Sequence, residues 1–146
     1  MRITNRRAKF DYQILEKFET GISLSGGEAK AVRTGHANLT NSFAKIMNRE
    51  MYLINVSIPV QGARNYDPTR TRKLLLHKSQ IISIESKVKQ KKLTLVPVSV
   101  YTKGRLIKIE LALAKSKRKF EKKESLKKKD ILREIEIEFR GRSVST

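Results

Sequence analysis

The chain has 146 residues, about one domain's worth, with 33 Lys plus Arg against 14 Asp plus Glu and a formal net charge of +19. The absence of cysteine excludes a disulfide scaffold, a zinc ribbon and a thiol nucleophile, and two histidines, His36 and His77, are too few for a histidine-rich metal site. No apolar run reaches the roughly 20 residues of a membrane span, and MRITNRRAKF is not followed by the apolar stretch of a secretory signal, so the expectation is a basic cytoplasmic domain whose first candidate partner is nucleic acid.

YQILEKFETGISLSG reads as a strand, rich in β-branched and aromatic residues, that ends at Gly26-Gly27. GEAKAVR, residues 27–33, reads as a short helix stopped by Gly35. A glycine pair ahead of a helix can cradle a phosphate. The GK[ST] of a nucleotide loop and its βαβ surroundings are missing, however, so a strand-to-helix turn is the reading. SFAKIMNREMYLINVSI predicts a hairpin turning at Asn48-Arg49, with Tyr52, Ile54, Val56 and Ile58 as its apolar alternation.

Residues 71–85, behind Asp67-Pro68, predict a helix with Leu74, Leu75, Ile81 and Ile82 on its apolar side. LTLVPVSVYTKGRLIKIELALA is the clearest hairpin, turning through Thr102-Lys103-Gly104-Arg105. On its return strand Ile107, Ile109, Leu111 and Leu113 alternate with Lys108, Glu110 and Ala112, one face in and one out. Pro97 belongs at an edge or a bulge. Phe18, Phe43 and Tyr52 are expected in the core. The fold class is mainly β: an antiparallel barrel of the oligonucleotide-binding type with flanking short helices and a basic C-terminal tail. A half-open sheet with helices on one side is the alternative.

Residues 1–114 hold 21 basic and 8 acidic residues and residues 115–146 hold 12 and 6, so both parts are basic, but only the first has prolines and most of the glycines. A boundary is expected there, between a folded RNA-binding domain, 1–114, and a tail, 115–146. Self-repulsion keeps such a tail disordered alone. Leu126, Ile131, Leu132, Ile135 and Phe139 would share one side of a helix once a polyanion neutralised the lysines. A solvated helix packed on the domain is the other reading.

Arg64, Arg70, Arg72, Lys73 and Lys78 flank the start of the expected helix over 71–85, Lys87, Lys89, Lys91 and Lys92 lie at and beyond its end, and Arg6, Arg7 and Lys9 open the chain. Such clusters neutralise phosphates without reading bases. With aromatics at 6%, recognition of a folded RNA's shape and backbone is expected over single-strand stacking. Glu19 and Glu28 fall at polar positions. Glu19 can accept hydrogen bonds from base or ribose groups, or form a structural salt bridge. His77 reads as an RNA contact or helix surface. No spacing supports a carboxylate dyad or an activated nucleophile, so no enzyme, cofactor or metal is expected.

DPTRTRKLLLHK, residues 67–78, resembles the signature of the bacterial SsrA-binding protein family, also called small protein B or SmpB. NRRAKFDY, FETGISLSGGEAKAVRTGHANL, LTLVPVSVYTKGRLIKIELALAK and KRKFEKKE match in the same order, so the resemblance covers essentially the whole chain. It implies a trans-translation factor that binds the tRNA-like domain of tmRNA (SsrA RNA) and delivers it to stalled ribosomes. The implied fold is an oligonucleotide-binding type barrel. The implied tail enters the vacant mRNA channel near the small-subunit decoding centre and becomes helical there. Elongation factor Tu is an implied partner through aminoacylated tmRNA.

By position, the resemblance puts Glu19, Leu75 and His77 at the RNA contact, with Lys30, Arg33 and Asn38 on matched surface segments. It assigns the ribosome to Lys117, Arg118, Lys119, Phe120, Glu121, Lys122, Lys123, Lys127, Lys128 and Lys129. Phe120 is implied to stack on small-subunit RNA. Glu121-Lys122-Lys123 replaces the family's Asp-Lys-Arg, and Lys does not reproduce the bidentate geometry of Arg.

Overall fold

The computed structural model describes residues 1–117. The elements are β1 (Arg2–Thr4), α1 (Arg6–Asp11), β2 (Tyr12–Ile22), α2 (Gly26–Arg33), β3 (Phe43–Met47), β4 (Glu50–Ile54), β5 (Arg72–Leu75), α3 (Lys78–Lys91), β6 (Thr94–Lys103) and β7 (Leu106–Ser116). Every pairing is antiparallel. The order β6-β3-β4-β5-β2-β7 returns to β6 through the β6–β7 hairpin, so the pairings close in a ring, and β1 adds to β6 beside β3. This is the barrel expected of the sequence. Closure leaves few unpaired edges, which a small β domain otherwise exposes to aggregation.

The two hairpins turn where the sequence places them. Asn48 and Arg49 both take positive φ, 51° and 62°, as a type I′ turn requires. Gly104 has φ 62° at the first of two loop positions, the type II′ pattern. Pro97 sits at a register shift between itself and Ser99, where the ladder does not need its missing N–H.

The interior is filled by Met51, Leu53, Leu74, Leu95, Val100, Ile109, Leu111 and Leu113, with Val32 of α2 and Ile84 of α3 closing over it. Ile109, Leu111 and Leu113 point inward, as the alternation requires. A second, smaller cluster lies elsewhere on the sheet: Ala8 of α1 packs with Val96, Val98, Ala112 and Ala114. Asn5 pins α1 there. It accepts from the Ala8 N–H at 3.2 Å and donates to the carbonyls of Leu39 at 3.1 Å and Pro97 at 2.9 Å.

Three expectations need correction. The helix predicted over 71–85 is a strand followed by a helix. Residues 72–75 pair with both β4 and β2, and α3 starts only at Lys78 and runs to Lys91. The inward face of β4 is Met51 and Leu53, not Tyr52 and Ile54. Asn55 at φ 71° then switches faces, so that Val56 and Ile58 are buried after it. Of the three aromatics expected in the core, Phe18 packs against it, Tyr52 is half-buried on the outer face, and Phe43 is 36% exposed. β7 ends at Ser116.

Candidate nucleic-acid interface

Strand alternation that sends Phe18, Thr20 and Ile22 inward sends Lys17, Glu19 and Gly21 outward. The register then lines up the outer face strand by strand. Gly21 lies opposite Leu75 of β5 on one side and Lys108 of β7 on the other. Glu19 lies opposite Glu110, Lys108 opposite Tyr101 of β6, and Tyr101 opposite Arg2 of β1. Lys73, Leu75, Gly21, Glu19, Lys108, Tyr101, Lys103 and Arg2 therefore share one continuous surface. Leu75 is 54% exposed on it, while its neighbour Leu74 is buried in the core. A hydrophobe that exposed on a basic face suits contact with a sugar edge or base plane.

Glu19 is built into this surface. The Tyr101 hydroxyl donates to its Oε2, and Lys103 Nζ lies 3.5 Å from Oε1. The Tyr101 hydrogen bond holds the Glu19 carboxyl below its ordinary range, against partial desolvation and with help from Lys103 and Lys108. In return, burial and the Glu19 charge push the Tyr101 hydroxyl up to about 12.

Lys73 is exposed but paired, with Nζ 2.9 Å from Glu50 Oε1. Tyr52 donates to the other Glu50 oxygen at 2.7 Å. Those two bonds lower the Glu50 carboxyl, and Glu50 raises the Lys73 ammonium.

Lys30 and Arg33 are exposed on α2. Arg33 Nη2 donates to the Arg105 carbonyl at 2.9 Å, which ties the end of α2 to the β6–β7 turn next to Lys103. Asn38 is exposed, but its Oδ1 accepts the Thr40 N–H at 2.9 Å and its backbone bridges Ser57. His77 is exposed as the N-cap residue of α3, two positions beyond Leu75, and its N–H donates to Gln80 Oε1 at 3.2 Å.

Arg72 contradicts the expectation of a surface contact. It is fully buried, and all five of its N–H donors are taken. Nε bonds Glu28 at 2.7 Å, Nη1 the carbonyls of Val56 at 2.7 Å and Arg70 at 3.0 Å, and Nη2 the Tyr66 hydroxyl at 2.9 Å and the Pro68 carbonyl at 2.8 Å. Arg70, half-buried, grips the same Glu28 through Nε at 3.0 Å and through Nη2. Glu28, expected at a polar position, is buried too. It closes a capping box with Ser25 at the start of α2. Burial alone would raise its carboxyl, but Arg70, the Ser25 N–H, Arg72 and Tyr66 hold it at about 2. Arg72 thus holds the loop over residues 56–70 to α2 from the interior, while Arg70 grips the same carboxylate with its side chain still 40% exposed.

The sequence reading missed Tyr101, Lys103, Lys108 and Arg2. The alternation that fixed Lys108 and Glu110 as outward carried the signal, since pairing the hairpin through its turn places Tyr101 opposite Lys108. Among the tail positions, Lys117 is the last described residue. Arg118, Lys119, Phe120, Glu121, Lys122, Lys123, Lys127, Lys128 and Lys129 lie outside the described residues. Among the described residues, no helix is long and apolar enough to cross a membrane.

Known proteins match this chain along nearly its full length. An SsrA-binding protein of Sulfurihydrogenibium sp. is 51% identical over 142 residues, covering 95% of this chain and 93% of that protein. That of Carboxydothermus hydrogenoformans is 50% identical over 141 residues, covering 94% and 95%. A solved chain from a structure described as "tmRNA-SmpB: a journey to the center of the bacterial ribosome" superposes with a TM-score of 0.69 at 43% identity, over 86% of this chain and 94% of that one. The family model described as SmpB protein matches residues 2–141, and the chain belongs to the SmpB family.

Proposed function

We propose that this protein is a trans-translation factor. It binds the tRNA-like domain of tmRNA through the outer face of β5, β2, β7 and β6 and delivers that RNA to stalled bacterial ribosomes. The observation that carries the reading is the shared surface of Leu75, Glu19, Lys103 and Lys108, in a chain 43% identical to one whose structure is described by tmRNA, SmpB and the ribosome. The lysines neutralise phosphates, and Leu75 and Glu19 supply contacts that phosphate attraction alone does not. His77 continues this face beyond β5 and Arg33 reaches it at the β6–β7 turn, and exposed Lys30 and Asn38 are further RNA contacts. Lys73 joins the face once Glu50 is displaced, the exposed part of Arg70 adds a further positive charge for the RNA, and buried Arg72 supports the fold beneath.

The protein acts as an RNA-binding adaptor and not an enzyme, works in the cytoplasm, and meets elongation factor Tu through aminoacylated tmRNA. The domain, expected over 1–114 and completed by the end of β7 at Ser116, grips the RNA. The tail that follows enters the vacant mRNA channel, where an intact message would exclude it, and so reports the stall. The stretch Lys117 to Lys123 and Lys127 to Lys129 supplies its charge.

The test is a gel-shift titration at fixed, near-physiological salt. It compares the tRNA-like fragment of tmRNA with alanine tRNA and an unrelated hairpin of equal length. Preference for the tRNA-like fragment is expected. Equal binding to all three overturns the reading, because charge alone then drives association. A chain ending at Lys117 is expected to keep that preference and to lose tagging of stalled peptides; normal tagging by it would overturn the role of the tail.

A further inference from the structure

Beside Glu19 the outer face contains a small stack built from β1, β6 and β2. The Arg2 guanidinium carbon lies 4.3 Å from the centroid of the Tyr101 ring, and Arg2 Nη1 is itself fixed by a 2.9 Å bond to Ser99 Oγ. Tyr101 is thereby clamped at its ring and bonded at its hydroxyl, which reaches across β7 to Glu19 Oε2. The charged groups facing Glu19 are Lys103 of β6, 3.5 Å from Oε1, and Lys108 and Glu110 of β7. Glu110 in turn lies 3.9 Å from Lys17 of β2.

A carboxylate on a phosphate-binding face needs a specific reason to be there, because it repels the RNA backbone. It becomes useful when aimed at a donor in a groove. A lysine makes a poor guide for it, since approaching phosphates compete for the ammonium. A tyrosine hydroxyl directs it without inviting a phosphate. Holding it in one rotamer before binding removes an ordering cost at the moment of association.

We propose that Tyr101 is a positioning residue for RNA recognition: its hydroxyl, steadied by Arg2, fixes Glu19 so that Oε1 accepts a hydrogen bond from a base amine, a base imino group or a ribose hydroxyl. This rests on the RNA-binding reading of the outer face given above. Tyr101 need not touch RNA. Its effect passes through Glu19, and Oε1 exchanges Lys103 for the RNA donor.

The test titrates the full chain with the tRNA-like fragment of tmRNA at fixed pH and several salt concentrations. Tyr101→Phe keeps the ring and its Arg2 contact and removes only the hydroxyl. It is expected to bind about tenfold more weakly, the scale of one charged hydrogen bond. Its salt slope should match the wild type, because no phosphate contact is lost. The Glu19→Gln, Tyr101→Phe double variant is expected to bind no more weakly than Glu19→Gln alone. The Glu19 carboxyl, followed by NMR in the free protein, is expected to titrate at higher pH in Tyr101→Phe than in wild type. Wild-type affinity for Tyr101→Phe alongside weakened Glu19→Gln overturns the proposal and leaves the RNA-binding face standing. An unmoved Glu19 titration also overturns it, by reducing Tyr101 to a packing role. Wild-type affinity for Glu19→Gln itself removes this acid from the interface, and the proposal falls with it.

Discussion

Two carboxylates in a chain of net charge +19 have opposite fates. Glu28 is fully buried at the start of α2 and saturated by Arg70, Arg72, Tyr66 and the Ser25 N–H. Glu19 sits on the outer face with its side chain 38% exposed, one oxygen taken by Tyr101 and the other facing Lys103 at 3.5 Å. Both carboxyls are lowered, so a shifted acid does not by itself distinguish a fold determinant from a binding group. Access does. Nothing from solvent reaches Glu28, whereas Glu19 keeps an oxygen that a ligand can use. The same contrast separates the arginines from the lysines. The planar, five-donor fork of Arg72 suits a buried site that must be satisfied from every side, and the lysines around Glu19 stay hydrated and exchangeable.

The sharpest way to break the Glu28 side is Glu28→Gln. It leaves Arg72 charged in the interior, and uncompensated charges of this kind cost about 3–5 kcal/mol. Urea unfolding should show a loss of that order with an unchanged m-value. A loss below about 1 kcal/mol would mean that Arg72 finds sufficient neutral acceptors among Val56, Pro68 and Tyr66. Acid is the gentler version of the same experiment. The folded Glu28 carboxyl is held at about 2 against an ordinary 4.5, so its contribution is complete above about pH 4.5 and disappears as the pH falls toward 2. The shift corresponds to roughly 3 kcal/mol. Stability should therefore fall across that window in the wild type and fall less steeply in Glu28→Gln.

Glu19→Gln breaks the other side and should leave the fold alone. The melting temperature is expected to match the wild type, because an exposed acid with one lysine and one hydroxyl partner contributes little to stability. Affinity for the tRNA-like fragment should drop about tenfold. Glu28→Gln predicts the reverse: at a temperature where it is still folded, RNA affinity stays near wild type. If both variants lost affinity equally while folded, the distinction between a structural acid and a binding acid would fail.

How much of this was legible in the sequence depends on how far local pattern decided local structure. The return strand of the last hairpin was readable from Ile107 to Leu111, where the period of two holds; Ala112, expected outward, is buried because Ala8 of α1 covers that face. The strand after Arg49 was misread by one residue, since the face switch at Asn55 is a backbone event that apolar counting does not register. Leu74 and Leu75 with Ile81 and Ile82 have the spacing of one side of a helix. Strand pairing to β4 and β2, set by distant residues, overrides that propensity. The α1 helix escaped notice because six residues with one buried alanine carry almost no periodicity. For the proposed site, Leu75 lies in the signature over 67–78 and Glu19 in the separate matched stretch that begins at Phe18, so both could be put forward from the resemblance. The fate of Arg72 could not: composition puts an arginine on the surface, and only the fold reveals a buried carboxylate waiting for it.

The smallest change should come from Gly21→Ala, and it tests how finely the outer face is set. Gly21 has ordinary backbone dihedrals, so its role is one of space. A Cβ there would lie 3.1 Å from Leu75 Cβ and 3.5 Å from its Cδ1. The nearest atom is Cβ, which moves only with the β5 backbone, so β2 and β5 must part by a few tenths of an ångström; only two residue pairs join them at this point, which keeps that shift local. The variant should therefore fold with a melting temperature within a few degrees of wild type. Its expected defect is a few-fold loss of affinity for the tRNA-like fragment, smaller than that of Glu19→Gln, with the salt dependence unchanged. Moving Leu75 alters the shape of the face while leaving every charge in place. A loss that steepened or flattened with salt would instead mean that the substitution had disturbed the neighbouring Lys73 or Lys108. Unchanged affinity would mean that binding does not depend on where Leu75 sits.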